Sequence, residues 1–219
     1  MTSSGTSPYR FVKELASGGM GRIEIVVRRE GAFARPYARK RLLPRFAGDP
    51  EVRAMFLEEA RVAGLVRHAN VVGVLDVGQD EEGPYLVMDL VDGVPLLDVY
   101  QTFRDRLPVQ IAVEIARQVA EGLHAAHELV APDGRAMELV HRDVSLTNVL
   151  VGFDGVVRVV DFGVARAVDR GSLTRIGTLK GRLSYMPAEQ LEHRALDRRA
   201  DLYALGVVLA ELLRGERMH

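Results

Sequence analysis

Residues 139 to 163, LVHRDVSLTNVLVGFDGVVRVVDFG, carry two carboxylates and one amide at a spacing suited to metal-assisted phosphoryl transfer. Asp143 and Asn148 share one short loop, and Asp161 follows after a hairpin. The pattern predicts a strand at Leu139 and Val140, a loop, and a strand over Val149, Leu150 and Val151. A turn at Phe153, Asp154 and Gly155 then leads to a strand from Val156 to Val160 that runs into Asp161. A tight hairpin returns the end of its second strand beside the start of its first, so Asn148 and Asp161 are expected to face one another. A magnesium ion takes oxygen ligands and keeps part of its water shell, so one carboxylate, one amide oxygen and substrate phosphates suit it. Asp143 is then the carboxylate left over, able to accept or orient the proton of an attacking hydroxyl.

Holding such a set in place takes a sizeable fold. The chain has 219 residues, 47% of them hydrophobic, enough to bury a core as one large domain or two small lobes. Lys and Arg total 29 against 30 Asp and Glu, a formal net charge of -1, which argues against a polyanion-binding surface and against nucleic acid as a partner. The absence of cysteine excludes a disulfide framework, thiol catalysis and cysteine-bound zinc or iron–sulfur clusters. MTSSGTSPYR has no basic stretch followed by an apolar one, so it does not read as a secretion signal. LYALGVVLAELL is too short to span a bilayer and reads as a buried core helix. A cytoplasmic location with no membrane segment is therefore expected, and the chain shows no internal repeat.

Upstream, YRFVKELASGGMGRIEIVVRRE alternates through Phe11, Lys13 and Leu15, then through Ile23, Ile25 and Val27, and predicts strand, turn, strand. No helix pattern follows the glycines and no Gly-Lys-Ser or Gly-Lys-Thr ends them, which excludes a dinucleotide fold and a P-loop. What remains is a plain hairpin, or one whose backbone N–H groups approach phosphates because side chains are missing. Lys40 follows on a predicted strand, and MFLEEARVAGLV places Met55, Phe56, Val62, Ala63 and Val66 at helical spacing. Glu58 and Glu59 on that helix point about 100° apart, so only one can meet the lysine. Two strands joined by an acidic turn from Gln79 to Gly83 come next, the second ending at Met88.

An amphipathic helix from Val109 to Glu128 carries Ile111, Ile115, Val119, Leu123 and Ala126 on one stripe. His124 and His127 read as helix-end residues packing under the Asp143 loop rather than as a metal pair, since no third ligand is near in sequence. Beyond Asp161 a hydroxyl-rich stretch with few periodic apolar residues reads as a loop. Asp201 then opens an apolar helix, as an acid able to satisfy backbone N–H groups.

H-R-D-x-x-x-x-N at His141 to Asn148, followed by D-F-G at Asp161 to Gly163, resembles the catalytic core of the protein kinase family. The resemblance runs from about Tyr9 to the end of the chain, and its likeness is greatest to bacterial serine/threonine kinases of eukaryotic type. It implies an α+β, two-lobed protein-kinase-like fold with ATP and Mg²⁺ as cofactors. The resemblance implies a small lobe over residues 9–90 with an antiparallel β-sheet and one helix, and over residues 91–219 a mainly helical large lobe lacking its last helices. Gly18 and Gly21 take the second and third positions of the family's glycine loop with Gly19 beside them, and Ala16 stands at the first.

The same resemblance distributes roles. Lys40, in the A-x-K position after Ala38, is implied to hold the α- and β-phosphates with Glu59, chosen over Glu58 on the F-x-x-E-A pattern. Ile23, Ala38 and Leu150 are implied as apolar walls for the adenine; Asp89, Leu90 and Val91 resemble the hinge, whose backbone recognises the base, and Met88, Asp89 and Val91 are implied nucleotide contacts. Asn148 and Asp161 are implied metal ligands, and Asp143 orients the substrate hydroxyl. Thr178, and after it Thr174, fall where the family carries its activating phosphate, with Arg142 as the phosphate's partner. Asp201 is implied to anchor the catalytic loop from beneath.

Several positions depart from the family pattern. Ser145 stands where Ser/Thr-specific members place a lysine against the γ-phosphate, and Gly181-Arg182 replaces Gly-Thr near the end of the loop. Arg182 is expected to reach back toward Asp143 and the γ-phosphate in place of that lysine. Pro187-Ala188-Glu189 replaces Ala-Pro-Glu. The sequence stops at His219, where the family continues with helices that cover the central one, so a partner or a missing segment is expected over that face. The function implied is transfer of the γ-phosphoryl group of ATP to Ser/Thr hydroxyls of protein substrates in bacterial signalling, with autophosphorylation within a homodimer left open. The rivals are a pseudokinase or remnant that binds nucleotide and docks partners, favoured by Ser145, Ala16 and the early stop, and a small-molecule phosphotransferase on a related fold.

Overall fold

The computed structural model describes residues 7–18, 21–131, 133–162 and 183–218. The chain forms two compact units, Met1–Gly64 with Gly73–Val91, and Leu65–Val72 with Asp92–His219. In the first, β1 (Tyr9–Gly18), β2 (Gly21–Glu30), β3 (Phe33–Leu42), β4 (Val74–Asp80) and β5 (Gly83–Asp89) make one antiparallel sheet in the order β1-β2-β3-β5-β4. Short turns enforce most of these pairings: Gly31, at a φ of 60°, closes the β2–β3 hairpin, and Glu81-Glu82 closes β4–β5. Two helices follow β3, α1 (Pro44–Ala47) and α2 (Pro50–Ala63). Asp49 starts α2 by accepting from the N–H groups of Glu51 and Val52, and Pro50 sits where no intrahelical N–H is needed.

Alternation along β3 divides its side chains between two faces. Ala38, Lys40 and Leu42 share one, and Arg39 and Arg41 share the other. Both arginines are buried, which demands charged partners. Arg39 Nε donates to Glu24 Oε2 at 2.7 Å, and Arg41 grips Asp80 with two bonds of 2.5 and 2.7 Å. The Arg41 guanidinium holds the Asp80 carboxyl below the usual carboxylate range. Both guanidiniums also lie over the Tyr85 ring, 5.5 and 5.4 Å from its centroid. Tyr9, Val26, Tyr85 and Val87 fill the rest of this face.

The second unit is mainly helical. A three-stranded antiparallel sheet of β6 (Gly93–Pro95), β7 (Val149–Gly152) and β8 (Val157–Val159) accompanies α3 (Leu96–Phe103), α4 (Val109–His127), α5 (Ala188–Leu191) and α6 (Arg199–Arg214). Its core joins Leu96, Val119, Leu123, Val149, Val159 and Val208, each fully buried. Segment 65–72 belongs here, which a contiguous division after residue 90 does not provide for. Asn70 explains it: its carbonyl accepts from Val159 N–H at 2.9 Å, and its side chain donates to Gln118 Oε1 and to the Val157 carbonyl. Gly122 lets α4 approach this segment, because a Cβ there would lie 2.5 Å from the Asn70 carbonyl oxygen.

Several local expectations change. Leu139 and Val140 are buried but form no strand, because the next two amides are taken by a side chain instead of a neighbouring strand. The second hairpin strand is shorter than predicted, Val157–Val159, although Val160 N–H still bonds the Asn148 carbonyl. β5 runs one residue past Met88. Ile111 is exposed, and Ala112 takes its place in the buried stripe of α4, since positions four apart drift about 40° around a helix. α6 begins two residues before Asp201. Leu202, Tyr203, Gly206 and Leu213 form an exposed, largely apolar stripe along it, while Ala204, Val208 and Leu212 pack inward. Among the described residues no helix is long and apolar enough to cross a membrane.

Candidate active site

In the first unit, Ile23, Ala38, Lys40 and Met88 lie on one face of the sheet, as the pairings Ile23 with Lys40 and Ala38 with Met88 require. Lys40 Nζ reaches Glu59 Oε1 at 2.8 Å. Glu58, one residue earlier, turns away to pair with Arg61, whose hydrogen bonds hold its carboxyl below the usual range. Gly18 and Gly21 pair across the end of the β1–β2 hairpin, and a Cβ on Gly21 would lie 3.0 Å from the Arg41 carbonyl oxygen. Gly19 lies outside the described residues. Asp89 ends β5 with its side chain on Arg35, and Val91 closes this unit.

In the second unit the acids and the amide sit around one buried imidazole. His141 is fully buried, and its ring stacks obliquely on Phe162 with centroids 4.7 Å apart. The ring accepts from Asp143 N–H at Nδ1, 3.2 Å, so Nε2 carries the hydrogen and donates to the Val160 carbonyl at 3.0 Å. One side chain thus ties the residue at Asp143 to the residue just before Asp161. Asn148 closes the other side: its Nδ2 donates to the Asp143 carbonyl at 2.9 Å and to Asp143 Oδ2 at 2.7 Å. With Nδ2 committed, Asn148 presents Oδ1 as an acceptor, an oxygen suited to a hard cation. Asp161 follows in a left-handed conformation, φ 58°, directly after the residue whose N–H bonds the Asn148 carbonyl. Leu150 lies on β7 opposite Pro95 and Arg158.

Asp201 supports this loop from α6. Its Oδ2 accepts from His141 N–H at 2.8 Å and faces His127 Nε2 at 2.8 Å, while Oδ1 accepts from Arg142 N–H at 2.8 Å. The acid therefore serves another segment's backbone rather than capping its own helix. His127 belongs to this anchor, whereas His124 is exposed. Arg142 adopts a φ of 67°, and its Nε is buried with no hydrogen-bond partner among the described residues. Ser145, which is buried, shares a hydrogen bond with Thr147 at 3.0 Å. Thr174, Thr178 and Arg182 lie outside the described residues. Sequence reasoning gave His141 no role of its own, although it is the first residue of the H-R-D run.

A profile described as the protein kinase domain matches residues 9–219. The chain belongs to the protein kinase family. Bacterial kinases are among its relatives: the tyrosine-protein kinase MasK of Myxococcus xanthus is 37% identical over 94% of this chain and 32% of its own length. The serine/threonine-protein kinases PknL and PknA of Mycobacterium tuberculosis are 36% and 37% identical over 95% of this chain, covering 50% and 47% of themselves. The kinase domain thus spans about half, or less, of the curated relatives it matches. Among solved structures, the M. tuberculosis PknI kinase domain superposes with a TM-score of 0.71 at 28% identity, covering 99% of this chain and 77% of that one. The β-sheet unit and the helical unit are the small and large lobes of this fold.

In the kinase's catalytic loop one buried carboxylate holds two successive amides, so that contact has a measurable weight. Asp201→Ala strands the two amides of residues 141 and 142 and is expected to lower the unfolding free energy in urea by about 3 kcal/mol. A loss under about 1 kcal/mol would show that other groups hold the loop.

Proposed function

We propose that the chain is an active serine/threonine kinase domain, which transfers the γ-phosphoryl group of ATP to protein hydroxyls in cytoplasmic bacterial signalling. The observation that carries this reading is the bond from Asn148 Nδ2 to Asp143 Oδ2, which fixes the Asp143 carboxylate and leaves the amide oxygen for a cation. Asn148 Oδ1 and the Asp161 carboxylate are the oxygen donors that would hold Mg²⁺, and the ion would neutralise charge on the phosphates. Lys40, held by Glu59, binds the α- and β-phosphates. Asp143 accepts and orients the proton of the attacking hydroxyl, with its own position set by Asn148 and His141. Ile23, Ala38, Met88 and Leu150 contact the adenine, with Asp89 and Val91 as the hinge, and Gly18, Gly19 and Gly21 cover the phosphates.

The buried Nε of Arg142, without a hydrogen-bond partner among the described residues, favours a phosphate on the loop that follows Asp161, on Thr178 or, second, on Thr174. The exposed stripe on α6 favours a covering segment or a partner, and autophosphorylation between two copies fits the same reading. The second reading, a pseudokinase that holds nucleotide and docks partners, draws on Ser145 and Ala16.

Asp143→Asn is expected to lower turnover with [γ-³²P]ATP by roughly 10²–10⁴-fold at unchanged nucleotide affinity, with phosphoserine and phosphothreonine as the wild-type products. Phosphotyrosine as the main product would move the chain to MasK's hydroxyl class, and no turnover above background in the wild type would favour the pseudokinase. Arg182→Thr is expected to cost turnover more than ATP affinity, and an unchanged rate would remove Arg182 from the site. A version of the chain extended by further C-terminal residues is expected to melt at a higher temperature, and equal melting would leave the α6 stripe a simple surface.

A further inference from the structure

We infer that Gln190, on the short helix α5, is a positioning residue for Asp143. Its side-chain Nε2 donates to the Arg142 carbonyl at 2.9 Å. That carbonyl and the Asp143 N–H are the two ends of one peptide group, and the N–H end is held by His141 Nδ1. The peptide group before it is held by Asp201, which takes the Arg142 N–H. Arg142 itself has a φ of 67°, a backbone conformation that L side chains adopt at a cost. Both flanking peptide planes must therefore be fixed from outside, and Gln190 holds the carbonyl end that His141 and Asp201 do not. A side-chain amide fits this position because it donates to a carbonyl and carries no charge beside a carboxylate. α5 positions it through Gln190 N–H on the Pro187 carbonyl, so the donor sits on an ordered turn.

The inference rests on the reading of Asp143 as the group that orients the hydroxyl, and the variants separate the two. Gln190→Ala is expected to lower kcat about tenfold with the KM for ATP within about twofold, since a small displacement of a reacting group costs rate rather than nucleotide binding. Amide hydrogen exchange is expected to quicken in peptides covering residues 139–146 and to stay unchanged in α6, which a general loss of stability would also speed. Gln190→Glu tests the donor itself. Its carboxylate faces the Arg142 carbonyl without a hydrogen to give. The variant is therefore expected to lose kcat at least as much as Gln190→Ala, since it keeps the size of the side chain but removes the donor. A kcat within twofold of wild type for Gln190→Ala, exchange unchanged over 139–146, or wild-type kcat in Gln190→Glu would each overturn the inference. Asp143→Asn, run in parallel, isolates the other failure: wild-type turnover there removes Asp143's role, while the exchange data still decide whether Gln190 holds the loop.

Discussion

The Asp201 carboxylate is the contact on which the catalytic loop depends. It is almost wholly buried, and it is satisfied by two backbone N–H groups and one imidazole nitrogen. A charge taken out of water this far is tolerated only when its acceptor sites are filled, so the carboxylate and the 141–142 backbone specify one another. From that fixed point the order propagates through short bonds. The His141 amide is held, its ring then spans to the Val160 carbonyl, and Asp143 and Asn148 close on each other. Two acids and an amide separated by up to 18 positions in sequence thereby occupy one small region of the helical lobe.

The β-sheet lobe solves a different problem by strand alternation. A register slip of one residue on β3 would exchange Lys40 with Arg39 or Arg41, and all three are cationic. Charge alone therefore does not define the register; the partners do. Glu24 and Asp80 fit guanidiniums on one face, Glu59 meets the ammonium on the other, and the two arginines lie over the Tyr85 ring. Arg41 and Asp80 form a bidentate pair, which a lysine cannot reproduce.

Much of this was legible from residue order because the informative contacts are local or fall on regular elements. The hairpin turn at Phe153, Asp154 and Gly155 brings Asn148 level with Val160, and helical geometry left one glutamate of two for Lys40. What escaped reading depends on distant segments. Leu139 and Val140 look like a strand, yet the amides after them are claimed by an acid on α6 some 60 positions later. Nothing in sequence names the partners of Arg39 and Arg41, and their burial appears only once Glu24 and Asp80 are brought beside them. Segment 65–72 carries no boundary signal, because its place is decided by Asn70 meeting Gln118 and Gly122. Side chains that bond to a remote backbone carbonyl, as Asn70 does, leave no periodic trace in sequence.

The central claim is that Asn148 and Asp161 supply the metal's protein ligands while Asp143 remains apart from it to handle the hydroxyl proton. The most direct measurement is a crystal structure of this chain with Mg²⁺ and a non-hydrolysable ATP analogue. The account predicts a Mg²⁺ bonded at about 2.1 Å by Asn148 Oδ1 and an Asp161 oxygen, with Lys40 Nζ on the α- or β-phosphate and the Asp143 carboxylate still bonded to Asn148 Nδ2. A nucleotide bound without metal at Asn148 and Asp161, or a metal held by Asp143 in their place, would contradict it.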